Sequence, residues 1–172
     1  MADNFTRDLV DENATLQFGR AFAQAIQPGL QVFLQGNLGA GKTTFVRGLL
    51  DGLGFHGRVK SPTYTLLESY EISRENGLIL TVNHFDLYRF TDDEEWEAAG
   101  FREAFNPQSI CLIEWSEKAA GILPKPDIEL TLTMQSIPEN STVGRQAAVQ
   151  GLTEIGKNIS HAWLAFLQKG RV

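Results

Sequence analysis

Residues 36–43 run Gly36-Asn37-Leu38-Gly39-Ala40-Gly41-Lys42-Thr43, which satisfies the spacing G-x-x-x-x-G-K-[ST]. Among the stretches of this 172-residue chain, this one constrains the fold most. The pattern works only where a strand delivers the backbone into a tight turn and a helix carries it away. Both flanks are present: Leu30-Gln31-Val32-Phe33-Leu34 is a short β-rich run, and a helix is expected from Lys42 to about Leu53, stopping at Gly54. The glycines let the backbone curl so that successive N–H groups point at phosphate oxygens, and the helix adds its positive end. Lys42 is placed for the β- and γ-phosphates and the Thr43 hydroxyl for Mg²⁺. Thr44 either faces the α-phosphate side or caps the helix. Asn-Lys-x-Asp, the guanine-reading element, is absent from the sequence, so a preference for GTP is not expected.

Around that unit the pattern is α/β. Leu16, Phe22, Ala23 and Ile26 mark an amphipathic helix from Asn13 to Ile26, ended by Pro28-Gly29. Thr63 to Ile72 and Leu78 to Phe85 read as strands joined by the turn-like Ser73-Arg74-Glu75-Asn76-Gly77, an antiparallel hairpin that makes the sheet mixed. Thr91 to Ala104 reads as helix, Ile110 to Ile113 as a short buried strand, and Ser116 to Gly121 as a brief helix before Pro124. Ile128, Leu130, Leu132 and Met134 alternate with polar residues as in a half-exposed strand, with Gln146 to Leu152 pairing across a Ser136–Gly144 loop. The last helix sets Ile155, Ile159, Ala162, Trp163, Phe166 and Leu167 on one face. The expectation is one P-loop NTPase-like α/β domain over residues 1–172, with a mixed, mostly parallel central sheet flanked by helices.

A phosphate loop needs carboxylates to hold the magnesium shell or orient water. Glu114 closes the apolar run Ile110-Cys111-Leu112-Ile113, which has Walker B form, and is expected to be functional. Asp86 ends a strand within His84-Phe85-Asp86-Leu87-Tyr88-Arg89, where the pattern leaves a site acid and a solubilised strand end both open. Ser61-Pro62-Thr63-Tyr64-Thr65 offers hydroxyls to a γ-phosphate or its metal, although a proline turn needs no such role. Thr91-Asp92-Asp93-Glu94-Glu95 is better explained as a capping box from Thr91 to Glu94 than as a metal cluster. Trp96 and Phe101 read as core, while Trp115 is either core or site wall.

The formal net charge is −6, which argues against a module that grips DNA or RNA by itself; the run Arg47, Arg58 and Lys60 reads as solvated charge. The one cysteine, Cys111, sits in an apolar run and is expected to be buried and inert. No apolar run reaches the roughly 20 residues of a membrane span, and the start lacks a signal-peptide pattern, so the expected setting is the cytoplasm, without a membrane partner.

Taken together, Gly36–Thr44, Ser61-Pro62-Thr63-Tyr64, His84-Phe85-Asp86-Leu87-Tyr88-Arg89 and Ile113-Glu114-Trp115 resemble, in order and spacing, the bacterial TsaE (YjeE) family. The resemblance runs from about Asp11 to about Arg145 and includes the Leu123-Pro124-x-Pro126-Asp127 turn, with Ser136–Thr142 as a variable loop. It implies a small Mg²⁺-dependent ATPase that assists a TsaB–TsaD complex in threonylcarbamoylating the adenosine beside the tRNA anticodon, meeting tRNA through that complex. By matching position it implies Thr43 as the magnesium-binding hydroxyl, Glu114 as the Walker B-type magnesium ligand, and Asp86 as an acid required for turnover. Ser61–Tyr64 would lie near the γ-phosphate, and Glu12, Thr15 and Arg145 would flank the adenine. Two other functions fit the phosphate loop. A small-molecule kinase would need an arginine-rich lid, and no such cluster is visible; a nucleotide-gated binding module would need no turnover.

Overall fold

The strand that leads into the phosphate loop lies in the middle of the sheet. The computed structural model describes residues 3–137 and 142–170. Its elements are β1 (Asn4–Leu9), α1 (Glu12–Ala23), β2 (Gln31–Gln35), α2 (Lys42–Gly52), β3 (Leu67–Ser73), β4 (Ile79–Asp86), α3 (Asp93–Ala98), β5 (Ser109–Glu114), β6 (Ile128–Ile137), β7 (Thr142–Gly151) and α4 (Glu154–Lys169). Among the described residues the seven strands form one sheet ordered β1-β7-β6-β2-β5-β4-β3. The central run β6-β2-β5-β4 is parallel, whereas β3 pairs with β4, and β7 with both β6 and β1, antiparallel. Every residue of β5 is buried, as a central parallel strand covered on both faces requires.

Helices α1, α2 and α4 share one face of the sheet. Phe18, Phe22 and Phe45 pack around Trp163, whose indole N–H donates to the Phe18 carbonyl at 3.1 Å. The α1–α2 contact depends on glycine: a Cβ on Gly19 would stand 2.4 Å from the Phe45 carbonyl oxygen, and one on Gly48 2.3 Å from that of Leu16. On the other face Phe85, Trp96, Phe101 and Phe105 form a second aromatic cluster over β4 and β5. Cys111 belongs to that cluster, and burial pushes its thiol up to about 12. Asp127 ties the sheet to α4: its carboxylate accepts from the Gln31 amide at 3.0 Å and from the Thr153 hydroxyl at 2.6 Å, and Thr153 caps α4.

Local departures from expectation have identifiable causes. The strand expected from Thr63 starts only at Leu67, because Leu66 turns through a left-handed conformation (φ 64°) and its N–H closes on the Pro62 carbonyl at 2.7 Å. The helix expected over 91–104 breaks at Gly100 (φ 70°) into α3 and a 3-10 turn, Phe101–Ala104. Its N-cap is Asp92, which accepts from the Glu94 amide, so the capping box from Thr91 does not form. On α4 only Ile159 and Trp163 of the expected stripe are fully buried, while Ile155 and Phe166 are exposed. Met134 is likewise exposed at the end of β6, although Ile128, Leu130 and Leu132 point into the core. The centre of the expected variable loop, residues 138–141, lies outside the described residues.

Candidate functional site

The carboxyl ends of β2, β4 and β5 meet beneath the phosphate loop, in the crevice where ligands of open α/β sheets sit. Three loop glycines have positive φ: Gly36 (144°), Gly39 (78°) and Gly41 (102°). Gly36 also has no room for a side chain, since a Cβ there would lie 2.6 Å from the Leu132 carbonyl oxygen on β6. Gly41 is the N-cap of α2 and supplies no side-chain oxygen, so the first-turn amides of this 11-residue helix have no side-chain cap. Thr44, in the first turn of α2, lines the cleft. Lys42 is buried, donates to the Gly36 carbonyl, and holds its ammonium 4.4 Å from the centre of the Trp115 ring.

Two acids form the far wall. Asp86 and Glu114 are direct partners in the β4–β5 ladder, and each is at least 94% buried. Asp86 accepts from the Thr63 hydroxyl at 3.1 Å and from the Tyr88 amide at 3.1 Å; the Ser61 hydroxyl lies 2.9 Å from that of Thr63. Glu114 Oε2 is 3.0 Å from Nε2 of His84, a histidine with no solvent exposure. The residues of the phosphate loop from Leu38 to Thr44 share a cleft of about 310 Å³ with Ser61, Thr63, Asp86, Glu114, Trp115 and Arg145. A hollow of about 230 Å³, bounded by Glu12, Thr15, Gly41, Thr44 and Arg145, adjoins it. A larger hollow of about 410 Å³ on the β1–β7–β6 face carries one charged side chain, Glu129, so convergence of buried charge, not size, selects the loop cleft.

The structure adds contacts and exposures that the sequence pattern did not specify. Arg145, on β7, braces the loop: its guanidinium donates to the carbonyls of Ala40 (3.0 Å), Gly39 (3.2 Å) and Val143 (2.8 Å). Asn37 is exposed. Tyr64 does not line the cleft; it is 81% exposed and lies under the Arg89 guanidinium, 4.5 Å from ring centre to Cζ. Trp115 is a site wall, with Tyr88 packed at 4.9 Å on the ring that meets Lys42. Its backbone is left-handed (φ 58°), an uncommon conformation for a non-glycine and one that clusters at functional sites. His84 was invisible as a site residue in the sequence, because only strand register reveals that it reaches Glu114.

Residues 9–145 match the family described as "Threonylcarbamoyl adenosine biosynthesis protein TsaE". The chain belongs to the TsaE family. It is 44% identical over 166 residues to the tRNA threonylcarbamoyladenosine biosynthesis protein TsaE of Haemophilus influenzae, covering 94% of this chain and 98% of that one. The Bacillus subtilis protein of the same name is 35% identical over 72% of this chain and 73% of its own, and that of Treponema pallidum 37% identical over 69% and 83%. The crystal structure of YdiB from Bacillus subtilis superposes with a TM-score of 0.69 at 24% identity, over 99% of both chains, and so shares the fold. The TsaE match ends at Arg145, so it spans the phosphate loop, both acids and the bracing arginine, and leaves α4 outside. The family acts in tRNA threonylcarbamoyladenosine biosynthesis.

Proposed function

We propose that this chain binds ATP with Mg²⁺ in the loop cleft and hydrolyses it slowly in support of a TsaB–TsaD complex that threonylcarbamoylates the tRNA adenosine next to the anticodon. The observation that carries the reading is the juxtaposition of two buried, ladder-paired carboxylates, Asp86 and Glu114, with Lys42, Thr43 and the uncapped start of α2. Two adjacent carboxylates are costly to bury next to each other. A divalent cation offsets that cost, and the donor set is the hard oxygen type that Mg²⁺ takes. Thr43, Glu114 and Asp86 are the residues that would hold it, and bound Mg²⁺ would neutralise charge on the phosphate oxygens. Lys42 supplies a cation to the phosphates, the α2 amides supply donors, and Asp86, fixed by Thr63 and the Tyr88 amide, holds its carboxylate in one orientation. Glu12 and Thr15 bound the adjoining hollow, where a base would extend from the loop.

The proposed partners take the role of gripping tRNA, which suits a chain with a net charge of −6. The reading places the chain in the cytoplasm; among the described residues no helix is long and apolar enough to cross a membrane. The test is ATP turnover by the purified chain, alone and with TsaB, TsaD and tRNA. Slow turnover that the assembly changes is expected. Glu114→Ala or Asp86→Ala should lower kcat by about 100-fold or more while ATP still binds. Absence of turnover under every condition, or transfer of phosphate to a small acceptor, would replace this reading by a gated module or a kinase.

A further inference from the structure

On the helix-covered face of β4 the inward row runs Leu80, Val82, His84, Asp86, and the neighbouring row on β5 runs Ile110, Leu112, Glu114. The first residues of both rows belong to the apolar core. His84 is where β4 changes from core to site, and its ring has no solvent exposure. Nε2 lies 3.0 Å from Glu114 Oε2, while Nδ1 is buried without a partner. An unpartnered buried polar atom costs about 1–3 kcal/mol, and an aliphatic side chain in the same row would avoid that cost. Folding stability alone therefore argues against histidine at this position.

We propose that His84 is a positioning residue for Glu114, with Nε2 donating the hydrogen bond to Oε2. This inference rests on the reading of the cleft as a Mg²⁺-dependent ATPase site. A carboxylate only accepts hydrogen bonds, so the proton shared with Oε2 belongs to the imidazole. The anchor is rigid, because ladder pairing holds His84 opposite Leu112 and Asp86 opposite Glu114, and neither backbone can move alone. The bond to Oε2 fixes the orientation in which the Glu114 carboxylate meets the cleft it lines with Thr43. Without the anchor the glutamate side chain can swing about its own torsions, and the proposed ligand set of Thr43, Asp86 and Glu114 loses its fixed geometry.

His84→Leu keeps an apolar filling of similar breadth and removes the donor; His84→Gln returns an N–H at comparable reach. For His84→Leu we expect an unchanged or higher Tm, ATP affinity within about threefold of wild type, and kcat lower by about 10–100-fold. We also expect the Mg²⁺ concentration for half-maximal rate to rise, with His84→Gln recovering much of both effects. In the nucleotide-free protein, imidazole ¹⁵N shifts should show a proton on His84 Nε2. Wild-type kcat and Mg²⁺ dependence in His84→Leu, or an Nε2 that carries no proton, would overturn the proposal. So would equal loss of Tm and rate in both variants, which is the mark of a merely structural residue. If the wild-type chain hydrolyses no ATP, the ATPase reading falls, and the ¹⁵N measurement still decides whether His84 anchors Glu114.

Discussion

At the residue scale, Lys42 is held between the Gly36 carbonyl and the Trp115 ring, contacts that a long side chain can leave without moving the backbone. A phosphate offers that ammonium a charge-assisted bond worth about 1.5–3 kcal/mol. Lys42→Ala should accordingly weaken ATP binding about 10–100-fold in an equilibrium titration, and unchanged affinity would remove the loop from the site. Cys111 gives a second prediction, through pH. Burial raises its thiol from 9.0 to about 12, so between those values the folded chain keeps a proton that the unfolded chain releases. Stability should fall as pH climbs through that window, and denaturant titrations of Cys111→Ala should show a shallower fall. Tyr70, also raised by burial, keeps part of the slope. The residues legible in the sequence were those whose chemistry is written contiguously, Gly36–Thr43, or at the end of an apolar run, Glu114. His84, the bracing contacts of Arg145 and the exposure of Tyr64 were not, because each depends on which strand lies beside which.

At the element scale, α2 is set by glycines as much as by the loop that precedes it. Alanine is about 1 kcal/mol better than glycine in a helix interior, so propensity alone predicts that Gly48→Ala stabilises. Its new Cβ would stand 2.3 Å from the Leu16 carbonyl oxygen, and backbone on α1 cannot step aside as a side chain can. Sterics win: a loss of about 1–3 kcal/mol is expected, a fall in Tm of several degrees by calorimetry, and reduced ATP affinity, because α1 carries Glu12 and Thr15 to the site. A variant as stable as wild type would show that the α1–α2 contact gives way easily. The order of the elements after β1 was readable from periodicity, as were the β3–β4 hairpin and the pairing of β7 with β6; the parallel run β6-β2-β5-β4 was not. β1 was missed because Asn4-Phe5-Thr6-Arg7-Asp8-Leu9 is a short edge strand with an exposed polar face. The breaks at Leu66 and Gly100 were missed because one left-handed residue ends an element whatever its neighbours prefer.

At the scale of the whole molecule, the site joins parts far apart in the chain: α1, the loop and α2 from the first third, Ser61 to Asp86 and Glu114 from the middle, and Arg145 from β7. The two antiparallel flanks of the sheet meet there only through the central parallel strands, so a ligand in the cleft links segments that otherwise communicate through β2 and β5. Such a ligand should stabilise the fold by mass action. At MgATP 100-fold above its dissociation constant the gain is about 2.7 kcal/mol, which in a domain of this size corresponds to a rise in Tm of about 5–10 °C. The rise should shrink when EDTA replaces Mg²⁺, since the two buried carboxylates then face the phosphates without an intervening cation. It should shrink again in Lys42→Ala at the same ATP concentration. Hydrogen exchange at saturating MgATP locates the gain: slowing is expected in the first turn of α2 and at the carboxyl ends of β4 and β5, with the β1–β7 edge changed less. An equal shift with and without Mg²⁺ would mean that Asp86 and Glu114 take no part in holding the nucleotide's metal, and their burial side by side would then need a different cation to explain it.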